Sequence, residues 1–373
     1  MEMKGAILHD WLNQRGGAED VLEAIAAEFP NLPIYTSIHQ PESVPVQYRE
    51  WDIRPLWTNR LPGIAQSHMR YLPLYPLAWS HVRPRGLDLV LSNKSGFCHG
   101  ARPARGTVHV CYCLTPTRYL WQYDEYMAHE GYPKAIVALL RPLIAGLRKW
   151  DFAAAQRVHQ FIAISRTVRQ RIQRFYRRDS TILHPPVDVE RFPTVAASER
   201  GEYYLVVSRL IPYKRIDLAI QAANALNFPL KIAGRGRDER RLRALAGPNI
   251  EFLGFVEDAE LPALIARCRA LILPGLEDFG VVPVQAQAAG RPVLAYGAGG
   301  ALDTVQPGVS GAHFNEQTVD ALVAAWQRFD PDEYSPQELR EKAAQFSIPQ
   351  FQSKLRALIE EALQRFHSEA LPG

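Results

Sequence analysis

The sequence predicts an α/β protein made of two doubly wound, Rossmann-like domains with parallel sheets. Three observations carry this expectation. Short apolar runs alternate with helical patterns along nearly all of the 373 residues, and such alternation builds a parallel sheet covered by helices on both faces. The length suits two domains of ordinary size. A proline-rich stretch from Leu183 to Pro193 then interrupts the pattern, which restarts beyond it; its prolines forbid helix and suit a crossing between domains. The expected domains are 1–190 and 197–348, with a final helix over 350–366 folding back on the first.

The elements follow in chain order. Gly5-Ala6-Ile7-Leu8 reads as a strand, and Gly17 to Phe29 as a helix whose apolar stripe is Val21, Leu22, Ile25 and Phe29. Leu87 to Leu91 and Val108 to Cys113 are strands, and a helical stretch runs through Lys149. Phe161 to Ile164 is a strand leading through Ser165, a good N-cap residue, into a helix from Thr167 to Tyr176. In the second half the strands are Tyr203 to Val207, Leu230 to Ala233, Ile250 to Leu253, Leu271 to Pro274 and the run ending at Ala295. Helices fall between them, at 215–225, 237–245, 260–268 and 281–289.

Composition narrows the class. A hydrophobic fraction of 47% and a charged fraction of 22% describe a soluble globular protein, and a net charge of +4 is too small to argue for nucleic acid. Cys98, Cys111, Cys113 and Cys268 form no CxxC pair, which predicts reduced thiols, a cytosolic setting and no zinc site. The chain runs directly into its first strand, so no leader is expected. The longest apolar run, Ala135 to Leu147, is interrupted by Arg141 and Pro142 and is too short to span a bilayer. From Arg141 to Arg178 there are ten Lys or Arg against one acid, Asp151. That segment is read as a contact for an anionic membrane surface, with a cytoplasmic protein held peripherally on the inner face; a solvated helix face is the alternative.

The strongest local signal is Glu277-Asp278-Phe279-Gly280, a loop between a buried strand and a helix. The unpaired N–H groups and dipole of a helix start attract phosphate. A carboxylate beside them is tolerated when it faces uncharged groups such as sugar hydroxyls, so the pairing points to a nucleotide-sugar. Gly16-Gly17 opens the first helix and admits close backbone approach to phosphate. Arg209 and Lys214 follow the first strand of the second half, where open α/β sheets bind ligands, and carry charge suited to a leaving diphosphate. Gly234-Arg235-Gly236 ends the next strand as a nucleotide-proximal turn. Arg118, Tyr119 and Trp121 lie in an aromatic loop suited to a sugar or acceptor face, or equally to core packing. Asp330-Pro331-Asp332 has metal-binding spacing but is read as a capped turn.

In order, VSRLIPYKRID, KIAGRGRD, NIEFLGFVED and LILPGLEDFGVVPVQAQAAGRPVLAYGAGGALDTV, with HDWLNQRGGAEDVLEA and VCYCLTPTRYLW in the first half, resemble the retaining family 4 glycosyltransferases of GT-B fold. The branch most resembled is the mannosyltransferase-like enzymes of O-antigen and capsule assembly. The likeness is weakest from Pro30 to Trp79. It implies that Arg209 and Lys214 hold the donor diphosphate, that Gly16 and Gly17 close over it, and that Glu277 touches donor-sugar hydroxyls. Asp278, the N–H groups of Phe279 and Gly280, Gly234, Arg235 and Gln285 complete the implied donor set. The first domain is implied to bind a glycan or polyprenyl-linked glycan acceptor, and the second the nucleotide-sugar. No metal or other cofactor is implied, and mannose is the favoured hexose.

Two departures stand out. The family's second glutamate is Gln285 here, and its histidine before Thr-Pro is Leu114. Glutamine keeps an acceptor oxygen but loses charge, and leucine cannot hydrogen-bond. They motivate an alternative: a weakly active or non-catalytic member that binds sugar nucleotide or scaffolds glycan assembly. His109 and His99 are the histidines near the Leu114 loop in sequence. His109 alternates to the other face of the strand, and His99 is left unplaced.

Overall fold

The computed structural model describes residues 3–130 and 133–370. They form two compact units, the first of the described residues up to 184 together with 351–370, the second of 185–350.

In the first unit seven strands form one parallel sheet: β1 (Gly5–His9), β2 (Ile34–Thr36), β3 (Ile53–Pro55), β4 (Leu89–Lys94), β5 (Val108–Cys113), β6 (Gln160–Ala163) and β7 (Ser180–Ile182). Their order is β3-β2-β1-β4-β5-β6-β7. The chain therefore reverses direction across the sheet between β1 and β4, which pair in register from Gly5↔Leu89 to His9↔Asn93. β1, β4 and β5 are buried along their whole length, as strands covered on both faces must be. An aromatic-rich core built on Tyr75, Trp79, Phe97, Tyr119 and Leu120 fills one face. The helix Arg166–Tyr176 starts at Ser165, whose hydroxyl accepts from Val168 N. The last helix, Ile348–Ala370, lays Phe351 edge-on against Tyr112 at 5.5 Å, and Gln352 donates to Ala24 O at 3.0 Å.

The second unit holds β8 (Tyr204–Val207), β9 (Leu230–Ala233), β10 (Ile250–Gly254), β11 (Leu271–Leu273), β12 (Val293–Tyr296) and β13 (Gly311–Phe314). The order is β10-β9-β8-β11-β12-β13, with every pair parallel. The reversal here lies between β8 and β11. Its core gathers Val206, Ile220, Ile232, Ile272, Leu294 and Trp326.

His109 illustrates what close packing does to a titratable group. Its Nε2 lies 2.7 Å from Ser92 Oγ inside the sheet. Burial, reinforced by His159 and Arg157, pushes its pKa from 6.5 down to about 3. The unfolded chain therefore takes up a proton below pH 6.5 that the folded chain refuses. This contribution is complete above that pH and is lost as pH falls toward 3, by about 1.4 kcal/mol per pH unit. We expect urea titrations between pH 6 and pH 4 to show a shallower loss of stability for His109→Gln than for wild type. Parallel slopes would refute the assignment.

Candidate functional site

In the second unit the loops after β8 and β11 leave adjacent, neighbouring strands that the chain then exits in opposite directions. Their carboxyl ends flank the crevice where open α/β sheets bind ligands. The first loop supplies Arg209, Tyr213 and Lys214; the second supplies Glu277 through Gly280. Gly275 lets them approach: a Cβ there would lie 2.7 Å from Lys214 O. The Lys214 ammonium pairs with Glu277 Oε1, and the two side chains are 13% and 19% exposed. That is enclosed enough for the pair to be fixed, and open enough for a ligand to reach it. The same ammonium lies 5.2 Å from the Tyr213 ring centroid, and Arg209 Nη2 reaches Tyr213 Oη at 3.5 Å. Tyr213 thus stands between the two cations.

Glu277 is held through its backbone, since Gly300 N donates to Glu277 O at 2.8 Å. Gly280, with φ at +90°, opens the helix Val281–Ala288, and no side chain caps that start. The Phe279 ring is buried against Phe346. Asp278 is half-buried beside it. Gln285 sits half-buried on the second turn of the helix, and its side-chain amide makes no hydrogen bond to another described residue. Gly234 belongs to the neighbouring loop; a Cβ there would lie 1.8 Å from Ser208 O. Leu210 N donates to Arg235 O at 2.9 Å. These turns hold the Arg209 loop in place; the Arg235 guanidinium is exposed and lies near Gly254, where a Cβ would come within 3.6 Å of its Nε.

In the first unit, Gly16 and Gly17 open the helix Gly17–Glu28, again with no side-chain cap. A Cβ on Gly17 would meet nothing within 4 Å, so internal packing does not demand glycine there. Of the aromatic loop, Arg118 is half-exposed. Tyr119 is buried among Phe97, Trp11 and Tyr126. Trp121 stacks on Phe175 at 5.2 Å and donates its Nε1–H to Asp151 Oδ2 at 2.7 Å. Both rings are engaged in packing, the bland reading of this loop. The Asp330-Pro331-Asp332 segment is a capped turn: Asp330 Oδ1 accepts from Asp332 N at 3.0 Å. Among the described residues no cluster of three or more His, Cys, Asp or Glu is placed to hold a metal ion. No described helix is long and apolar enough to cross a membrane.

A family model for glycosyltransferase family 4 matches residues 15–191, and one for glycosyl transferases group 1 matches residues 190–346. Together the two models cover residues 15–346, so both halves of the chain carry glycosyltransferase domains, the first of them of family 4. A GDP-mannose-dependent alpha-(1-6)-phosphatidylinositol monomannoside mannosyltransferase of Mycobacterium tuberculosis is 32% identical over 171 residues, 38% of this chain and 44% of that protein. A glycogen synthase of Pseudomonas syringae pv. tomato is 31% identical over 189 residues, 48% of this chain and 36% of that protein. The chain thus spans less than half the length of these curated relatives. Anabaena HepE, solved in complex with UDP, superimposes with a TM-score of 0.70 at 16% identity, over 96% of this chain and 100% of that one. A sucrose-phosphate synthase from Thermosynechococcus elongatus gives 0.70 at 17% identity, over 96% and 100%. These likenesses establish the GT-B fold.

Neither histidine near the aromatic loop of this chain replaces the one missing at Leu114. His99 is fully buried, its Nε2 3.4 Å from Asp151 Oδ1, and burial holds its pKa well below 6.5. His109 is spent on Ser92. Three charged residues escaped the sequence reading. Asp10, just after β1, accepts from the N–H groups of Ser95, Gly96, Phe97 and Cys98 at 2.6 to 2.8 Å. Lys94, the last residue of β4, is fully buried; its Nζ donates to Thr115 O and Thr117 Oγ1, both at 3.2 Å. Thr117 Oγ1 lies 3.3 Å from Asp151 Oδ1, and Tyr176 Oη donates to Asp151 Oδ2 at 2.8 Å. The aromatic loop is thus tied down by a buried cation and a buried anion. The available signal was a lysine ending an apolar strand and a lone acid in a basic segment.

The basic segment itself is partly committed. Arg178 donates to the carbonyls of Ala155, Gln156, Val158 and His159. Arg171 reaches Thr115 Oγ1 at 3.4 Å, and Arg141 pairs with Asp124 at 2.9 Å.

Proposed function

We propose that this protein transfers a hexose, mannose first, from a nucleotide-diphosphate sugar to a glycan or polyprenyl-linked glycan acceptor, with retention and without a metal ion. The observation that carries the proposal is the Lys214–Glu277 pair at the sheet reversal of the second unit. Donor binding would hand the Lys214 ammonium from the carboxylate to the diphosphate, with Arg209 alongside. That exchange releases Glu277 toward the sugar hydroxyls. Charge developing on the leaving group is then met by two cations and the uncapped start of the helix at Val281. No residue need act as a nucleophile: the departing phosphate takes the acceptor's proton, and the protein contributes positioning and electrostatics. The GDP-mannose named for the mycobacterial relative supports mannose, and UDP in the HepE structure supports a nucleoside diphosphate.

The test is calorimetry of the intact chain against GDP-mannose, UDP-glucose and the free diphosphates, followed by NMR assignment of the product anomer. We expect donor binding, a product of unchanged anomeric configuration and full activity in the presence of EDTA. Because Gln285 has no internal partner, Gln285→Glu is expected to change nucleotide affinity severalfold while leaving stability unaltered. Silence across the whole panel would replace this reading with the non-catalytic one that Leu114 and Gln285 suggest.

A further inference from the structure

The carboxyl edge of the first unit's sheet carries the glycine turn and the aromatic loop. The opposite, amino-terminal edge carries a different concentration of charge. The segments entering β4, β5 and β6 bring Arg83, Arg85, Arg102, Arg105 and Arg157 together around cavities of about 750 and 610 Å³, which share Arg102, Pro103 and Arg105. A third cavity, of about 610 Å³, continues the groove past Phe366 to Arg178 and Arg365. No Asp or Glu lines any of the three. Of the nearby acids, Asp88 accepts from Lys4 N at 3.0 Å, and Glu361 pairs with Arg365 at the far end of the groove at 2.5 Å, away from Arg83, Arg85, Arg102 and Arg105.

Four of these arginines, Arg83, Arg85, Arg102 and Arg105, are exposed, and their guanidinium groups have no hydrogen-bond or ion-pair partner among the described residues. Arg157 is half-buried. Its Nη1 and Nη2 donate to Ala153 O and Gly100 O, while its Nε is buried with no acceptor. Burial, and then the neighbouring Arg102 charge, pull its pKa below the usual arginine value. A groove of like charges repels itself, and an anion relieves that repulsion. The lining holds arginine and no lysine. Planar guanidinium forks match phosphate oxygens two at a time.

We propose that this groove is a second, non-catalytic site for a phosphate-rich ligand, held by Arg83, Arg85, Arg102, Arg105 and Arg157 beside the Phe366 ring. Soluble oligophosphate and the headgroups of an anionic bilayer share this chemistry. The site lies on the edge of the sheet opposite the loops assigned to transfer, so it stands independently of the proposed reaction.

The intact chain is titrated with inorganic tripolyphosphate by calorimetry. It is also floated with vesicles of phosphatidylglycerol and phosphatidylcholine, against phosphatidylcholine alone, at about 0.1 M salt. Binding to tripolyphosphate alone identifies a soluble phosphate ligand; binding to the anionic vesicles alone identifies a headgroup array. In either arm the quadruple variant R83Q/R85Q/R102Q/R105Q is expected to bind more weakly by on the order of a hundredfold or more, from about fivefold per arginine. Its donor affinity and transfer rate should match wild type. Should the quadruple variant fold poorly, R85Q/R105Q is read instead, with a loss of roughly twentyfold. The comparison variant R169Q/R174Q alters exposed arginines on the helix Arg166–Tyr176 and is expected to bind as wild type does. The proposal is overturned if wild type binds neither probe, if the groove variant binds as tightly as wild type, or if the helix variant loses binding equally.

Discussion

Lys214→Ala is expected to lower kcat/KM for glycosyl transfer by about 10²- to 10³-fold, the usual consequence of removing one preorganised charge-stabilising group. The loss should fall mainly on kcat, because the leaving diphosphate gains negative charge as the glycosidic bond breaks. Two features of the site make the expectation specific. Lys214 is 13% exposed and pressed between Tyr213 and Glu277, so water replaces it poorly. Glu277 would also be left without its cation, and its repulsion of the incoming diphosphate would weaken donor binding. Lys214→Arg should recover part of the rate, since charge returns, but not all of it, since a planar fork does not fit where a compact ammonium sat. Single-turnover transfer from radiolabelled donor separates the two steps. Undiminished transfer by Lys214→Ala would remove the residue from the mechanism.

The partnership behind that prediction joins residues 63 apart in the chain. Sequence reading placed both on loops at the carboxyl ends of strands, because apolar runs and glycine turns are local signals. It did not pair them, because their neighbourhood is created by β11 crossing back to lie beside β8. The same distinction runs through the fold. Long buried strands such as β1, β4 and β5 announce themselves by unbroken apolar runs, and the helix at Arg166 by its Ser165 cap. β2, β3, β7 and β13 do not. They are three or four residues long, and Ile53-Arg54-Pro55 and Ser180-Thr181-Ile182 carry too little apolar pattern to be told from loop. They become strands through the neighbours they pair with. Aromatic loops are ambiguous for another reason. Tyr119 and Trp121 have faces suited to a sugar ring, and only the positions of Phe97 and Phe175 decide that those faces are already covered. Asp10 is the limiting case. A single carboxylate after a strand gives no hint that it gathers four N–H groups from a loop some 85 residues later.

Asp151→Asn and Lys94→Met are each expected to destabilise the first unit by about 3–5 kcal/mol, the cost of leaving one buried charge without its counter-charge. Both side chains are fully buried, and Thr117 Oγ1 bridges them at 3.2 and 3.3 Å. Asparagine keeps the shape of Asp151 and can still accept from Trp121 and Tyr176, so lost hydrogen bonding alone predicts a much smaller effect, about 1 kcal/mol. The double variant separates the explanations. If the charges are coupled, Lys94→Met/Asp151→Asn should be far less unstable than the sum of the single variants, with a coupling of at least about 2 kcal/mol in urea unfolding. Additive losses would mean that each residue acts through its own packing. The pair matters for function because its hydrogen bonds end on Thr115, Thr117 and Trp121. They fix the loop that begins at Leu114, where the family carries a histidine and this chain carries none. With that side chain unable to hydrogen-bond, the geometry of the loop rests on the charges beneath it, and the single variants should lose transfer activity at temperatures well below their unfolding midpoints.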